Sequence, residues 1–308
     1  MRVFGFVLQK LSRLLLTVLI IASLVFFLVR VLPGNPAAVI AGIDSDSADL
    51  AVISERLGMD APLATQYFKW LWDALRFDFG ESFFSREPAM SLILARFPLT
   101  LSLALLAFGL SIVVAIPLGV LSAVHRWRSP DYVGMIYSQI GMAIPGFWLG
   151  IILLLVFAVK LRWFPLFGGD SFRHLVLPAI ALGLGRSALL VRYVRSSMIE
   201  ELGSEYEMTA QAIGLSVMSI RYRHALKNAL LPVITIAGIQ FGYMLGGTII
   251  IEQVFSLPGI GRLLLSAIRQ RDFAVIQAGV IFVAVIFSAT NFLVDVLYSM
   301  VNPRIRVG

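Results

Sequence analysis

Residues 205–232 read EYEMTAQAIGLSVMSIRYRHALKNALLP, a polar and basic island between two long apolar runs. A stretch this rich in Glu, Arg and Lys cannot lie in hydrocarbon, so the runs on either side read as separate membrane spans joined through water. Within the island Met208, Ala212 and Leu215 fall at i, i+4 and i+7 with Ile213 beside them, while Glu205, Glu207 and Gln211 spread over the other faces. Gly214 interrupts that helical pattern and Leu215-Ser216 restarts it, which predicts a short helix, a turn and a second helix carrying Arg221, Arg223 and Lys227. On residue pattern alone the island is a compact knob on a membrane protein, which a solvated loop between two spans also accounts for.

The rest of the chain agrees with a membrane setting. It has 308 residues, of which 59% are hydrophobic and 14% charged, with a mean hydropathy of +0.89. Those values lie far outside the range of a soluble domain. The absence of cysteine excludes disulfides, thiolate metal sites and cysteine nucleophiles. A formal charge of +7 could suggest nucleic acid, but the basic residues are spread over the ends of the apolar runs, where membrane topology accounts for them.

Leu11 to Val29, bracketed by Lys10, Arg13 and Arg30, is long enough to cross a bilayer and too long for the apolar region of a cleaved signal peptide. It reads as a retained first helix. Pro33 to Arg96 is hydrophilic and acidic; Tyr67, Trp70, Leu71 and Leu75 recur in it at helical spacing, so part of it is expected to be a small folded cap. Further spans are expected at Pro98 to Val124, Tyr132 to Val159, Leu175 to Leu190, Leu230 to Val254 and Ala274 to Val301. The expected architecture is an all-α integral membrane protein of six transmembrane helices, with a small extracytoplasmic segment between the first two. Residues 1–96 form its first helix and cap, and 97–308 a five-helix core with the island (196–229) as its loop. Placing the N-terminus, the His125 turn, the island from Arg192 to Asn228 and the tail inside puts about twelve Lys/Arg there against about six in the two short outer loops, which favours that orientation.

Four features inside the apolar runs stand out. Gly238, Gly242 and Gly246 repeat every fourth residue and are expected to let another helix approach closely. Pro117, Pro145 and Pro178 each suggest a kink, with Pro145 the best candidate for a pore-lining bend; Gln139 and Phe147 flank it. Asp295 lies in the last turns of a span, where an ionised carboxylate is costly, and reads as a helix tether or a pore group. Glu252, at the outer end of its span, is expected to reach the interface. Between the last two spans, a Pro258-Gly259 break precedes a short amphipathic helix bearing Arg262, which either dips into the bundle or forms an outer lid.

The sequence VFSLPGIGRLLLSAIRQRDF (254–273), with IPGFWLG (144–150) and the run from Val294 to Arg306, strongly resembles the dipeptide/oligopeptide/nickel family of ABC permeases. Leu57 to Leu63 is similar to the first, B-type, of the paired permeases of that family. Met208, Thr209, Ala210 and Gly214, followed by Leu230-Leu231-Pro232, resemble the coupling loop of ABC importers, with Met208 and Thr209 departing from the generic signature as in the peptide and nickel branch. The resemblance implies type I importer architecture and an ATPase-coupling set of Glu205, Met208, Thr209, Ala210, Ala212 and Gly214. It also implies a homologous second permease, two cytoplasmic ATPase subunits that bind ATP and Mg, an extracytoplasmic solute-binding protein and a bacterial inner-membrane location. The solute is expected to be a dipeptide or short oligopeptide, with nickel chelates, glutathione and other small solutes as alternatives.

No phosphate loop, His-Glu-x-x-His or Gly-x-Ser-x-Gly pattern occurs, so the chain is expected to be non-catalytic, with no cofactor or metal of its own. His125, His174 and His224 are scattered among loops. A secondary transporter would carry paired broken helices with ionisable residues at mid-membrane, and a membrane scaffold would act through the cap; both stay open at this point.

Overall fold

The structure, a computed structural model, describes residues 2–31, 61–204 and 213–301. Helices account for nearly all of these residues: α1 (Arg2–Val31), α2 (Leu63–Leu75), α3 (Ala89–Val124), α4 (Ser129–Ala143), α5 (Gly146–Leu153), α6 (Phe172–Leu202), α7 (Leu226–Val254), α8 (Ile260–Gln270) and α9 (Phe273–Val301). A π-helical stretch, Leu154–Lys160, prolongs α5, and a second one, Ile220–Ala225, feeds into α7 from the short helix Val217–Ser219. Five helical segments are long and apolar enough to cross a membrane alone; α4 and prolonged α5 make a sixth crossing if the bent pair is taken as one.

Several boundaries differ from the sequence reading. The second span begins at Ala89 and encloses Pro98, because the helix continues beyond the apolar run onto protein. The fourth is not short: α6 has 31 residues and runs twelve beyond Leu190, since its basic end packs on protein, where hydropathy is no guide. The third span is broken, not kinked, with α4 and α5 meeting at 96°. Pro145 forbids a helical conformation at Ile144, which lies at φ −83° and ψ 121°. Pro117 and Pro178 stay inside continuous helices.

The bundle is built on α6, which packs most extensively on α3. Gly183 and Gly119 permit that approach: a β-carbon on the former would lie 2.7 Å from the Ala107 carbonyl oxygen and one on the latter 2.6 Å from Val194 Cβ. Leu103, Leu177, Leu182, Met244 and Phe255 fill the centre, and Val120, Met198, Ala225 and Val233 the end nearest the island.

At the other end the chain after α7 turns back at Phe255–Gly259 and α8 dips against α3 and α9. Leu264 and Ala267 lie in the core, and Ile268 and Arg269 face outward. Glu252 holds this turn together and does not reach the interface. Its carboxyl, fully buried, accepts from Thr100 Oγ1 at 2.7 Å and from the Arg262 backbone N–H at 3.1 Å, while Thr100 Oγ1 accepts from the Ile260 N–H at 2.9 Å. These N–H groups belong to the first turn of α8, which has no partner for them within the helix. The residue eight positions upstream of α8 thus caps it, which local sequence could not reveal.

The cap is present as α2, packed along α1. Tyr67 and Trp70 gather on Phe26, Tyr67 bonds Ser23 at 2.7 Å, and Trp70 Nε1 donates to Gln277 of α9 at 3.0 Å. Leu75 is exposed, contrary to its place in the expected apolar stripe. Ser82 donates to Asp272 at 2.5 Å and ties the segment after α2 to the start of α9. Asp295 pairs with Lys10 at 2.6 Å, so the last span is fastened to the first.

The glycine face of α7 meets α9 at two of its three positions. A β-carbon on Gly238 would strike Val294 and one on Gly242 would lie 2.9 Å from the Phe287 ring, whereas Gly246 faces open space within the chain. Each four-residue step advances an α-helix about 40° beyond a full turn, so the third glycine has rotated away. Gly238→Leu and Gly242→Leu are each expected to destabilise the detergent-solubilised protein by about 1–3 kcal/mol in thermal unfolding. Gly246→Leu is expected to leave the isolated chain unchanged; equal loss at all three positions would refute the observed phase.

Candidate functional site

The break between α4 and α5 opens a cavity of about 360 Å³ against α6 and α7. Leu182, Gly185, Arg186 and Leu189 of α6 line it at i, i+3, i+4 and i+7, one face of a helix. Ile144 and Phe147 close it from the break, and Gln240 and Gly247 from α7. A wider groove of about 610 Å³ lies between α3 and the start of α6, walled by four leucines, Pro98 and Phe172, with Ser102, Asp170 and Ser171 as its polar side chains. The smaller cavity holds the unusual chemistry.

Arg186 stands in the middle of α6, fourteen residues from Phe172 and sixteen from Leu202. A guanidinium within a membrane span is costly and is stable only where a cavity or a partner relieves it. Among the described residues no carboxylate pairs with it. Its Nη1 donates to Gln240 Oε1 at a long 3.5 Å, and its charge lies 6.0 Å from the Tyr243 ring centroid. The Gln240 amide nitrogen, buried beside it, has no hydrogen-bond partner. An unmade bond of this kind costs about 1–3 kcal/mol, so the Gln240 amide N–H is free to take an acceptor oxygen that enters the cavity.

The residues expected to line a pore separate into different places. Phe147 lines the cavity and Pro145 creates the break beside it. Gln139 lies on an exposed side of α4. Pro258 and Arg262 are exposed at the turn into α8, away from the cavity, with Arg262 Nη1 donating to the Ser256 carbonyl at 2.6 Å. Arg186 and Gln240 were missed. Ending the fourth span at Leu190 puts Arg186 one turn from the end of a short helix, whereas in the 31-residue α6 it stands near the helix midpoint. The available signal was a lone arginine inside the glycine-rich run 181–190.

The base of the island is braced on both sides. Asp131, fully buried at the start of α4, takes two bonds from Arg195 of α6, Nε to Oδ1 at 2.5 Å and Nη2 to Oδ2 at 2.8 Å; the Trp127 N–H donates to it at 2.9 Å. Asn228 reaches Glu201 at 3.3 Å and links the two stems, α6 and α7. Gly214 has φ +86°, a conformation that other residues adopt only with strain, and a β-carbon there would meet nothing within 4 Å among the described residues. Ser216 then caps the next helix by accepting from the Ser219 N–H. Ile213, Val217, Met218 and Tyr222 are exposed around this turn. Glu205, Met208, Thr209, Ala210 and Ala212 lie outside the described residues.

Comparison with known proteins gives a consistent result. Residues 115–307 match the model of the family described as binding-protein-dependent transport system inner membrane component, and residues 3–104 match that of its N-terminal part. The chain is 41% identical over 302 residues, 98% of its length and 99% of the relative's, to the glutathione transport system permease protein GsiC of Salmonella choleraesuis (strain SC-B67). It is 39% identical over the same shares to GsiC of Escherichia coli (strain K12). Among solved structures, an inward-facing MetNI methionine ABC transporter superposes with a TM-score of 0.58 at 18% identity, covering 69% of this chain and 97% of that one, which establishes a shared fold.

The brace at the base gives a direct test. Arg195→Met leaves the buried Asp131 carboxylate without its partner and is expected to cost about 3–5 kcal/mol in thermal unfolding, whereas Arg195→Met with Asp131→Leu should recover much of the loss. An additive double variant would show that the two side chains do not act as a pair.

Proposed function

The chain belongs to the inner membrane component family of binding-protein-dependent transport systems, and from that premise we infer that it is the translocation subunit for short peptides and peptide-like solutes, glutathione among them. The observation that supports this cargo is the likeness along nearly the whole chain to permeases named for glutathione, a tripeptide. It is a permease of an ABC importer, and its work is done with an ATPase and a solute-binding protein.

In this reading the chain is non-catalytic. Two ATPase subunits bind ATP and Mg on the cytoplasmic side, a homologous second permease completes the path, and the binding protein delivers solute from the other face. The island lies in the cytoplasm with both termini. Glu205, Met208, Thr209, Ala210, Ala212 and Gly214 form the surface that docks on an ATPase, a role supported by the open Gly214 turn and the exposed Ile213, Val217 and Met218 nearby. Closure of the ATPases on ATP moves the island, and the Asp131–Arg195 and Glu201–Asn228 links transmit that movement to α4, α6 and α7, the helices around the cavity.

Two measurements test this account. A reporter active only outside the cytoplasm should be active when fused after Asp73 or Gly169 and silent after Gly203; activity at Gly203 would reverse the orientation. In the reconstituted complex, Ala210→Glu should bury an unpaired carboxylate at the docking surface and abolish both uptake and solute-stimulated ATP hydrolysis while leaving capture by the binding protein intact. Normal stimulation in that variant would reduce the island to a solvated connection.

A further inference from the structure

We propose that Arg186 and Gln240 form a carboxylate-binding site within the cavity, where the transported solute is held by its anionic group part-way across the membrane. This rests on the reading of the chain as a peptide-type permease, and it names the residues that meet the cargo. Three observations converge on it. Arg186 is a cation at mid-depth of α6 with no carboxylate partner among the described residues. It lines a cavity of about 360 Å³, large enough for a carboxylate with its first side chain. Gln240, beside it, keeps a buried amide N–H without an acceptor.

The chemistry selects the ligand class. A guanidinium presents parallel N–H donors that match the two oxygens of a carboxylate, and such charge-assisted pairs are the strong ones. The Gln240 amide supplies a further donor to one of those oxygens once the long Arg186 contact yields. The remainder of the wall, Ile144, Phe147, Leu182 and Leu189, offers apolar contact without side-chain specificity. A site so built recognises the common end of peptides and tolerates their different side chains, and its single bidentate anchor can release as well as bind. An inorganic phosphate would meet the same donors, but the apolar wall favours an organic acid.

The chain has no cysteine, so a single one reports on the cavity. Leu189→Cys lies one turn from Arg186 on the same face. In the reconstituted complex without ATP, a sulfonate-bearing methanethiosulfonate should modify this cysteine about tenfold faster than a trimethylammonium-bearing one, reflecting the local positive potential. Added Arg186→Gln should abolish the preference and Arg186→Lys should retain it. S-methylglutathione, a peptide with free carboxylates and no thiol, should protect the cysteine, while its diester should not; protection should disappear with Arg186→Gln and weaken with Gln240→Leu.

Equal reaction with both reagents, equal protection by acid and ester, or no protection by either overturns the assignment. So does a large fall in melting temperature of the complex with Arg186→Gln, which would mark Arg186 as paired with a carboxylate of another subunit. None of these readouts uses transport, so failure of the importer reading is seen separately, as absence of ATP-driven uptake of the peptide by the wild-type complex.

Discussion

A backbone N–H or C=O that cannot reach water must find its partner inside the protein, and this constraint shapes the bundle at each point where a helix stops within it. The chain is interrupted at Ile144-Pro145 and again at Phe255–Gly259. At the first interruption proline removes a donor that would otherwise need satisfying, and the exposed edge is turned toward a cavity. At the second, Glu252 and Thr100 provide the missing acceptors for the first turn of α8. One break is left open and the other is sealed. That difference separates the part of the bundle that holds a cavity from the part closed by buried hydrogen bonds.

Charges follow the same division. Asp131 with Arg195 and Lys10 with Asp295 are matched pairs that join helices distant in sequence. Each buries or half-buries an ion beside its partner, and each ties two helices together. Arg186 has the burial of a structural ion without such a partner. Among the described residues it has no carboxylate partner, and it faces the cavity instead.

The number of crossings was legible because hydrocarbon demands about twenty apolar residues per span and the chain supplies them in separate runs. The Gly214 turn was legible because a glycine between two helical patterns has one economical use, and its φ of +86° agrees. Helix ends were harder to read. The extension of α6 to Leu202 rests on packing by Met198 and Val194, which hydropathy does not register, and this concealed the mid-helix position of Arg186. Glu252 was misplaced for a related reason: its partners lie on α3 and α8, and no pattern along α7 announces a chain that folds back to meet it. The glycine triplet was read correctly as a contact and wrongly as one of full length, since a four-residue period drifts on a helix with 3.6 residues per turn.

The π-helical stretch Ile220–Ala225 gives the connection between island and α7 a meaning that its polarity hides. A π turn accommodates one more residue than the α turn it replaces, so it sets the angular phase of everything downstream. Removing one residue there would rotate α7 by about 100° relative to the island, turning Gly238 and Gly242 from α9 and swinging Gln240 out of register with Arg186. The spacing between Gly214 and Pro232 therefore behaves as an indexing tooth, and its length encodes the direction in which α7 faces.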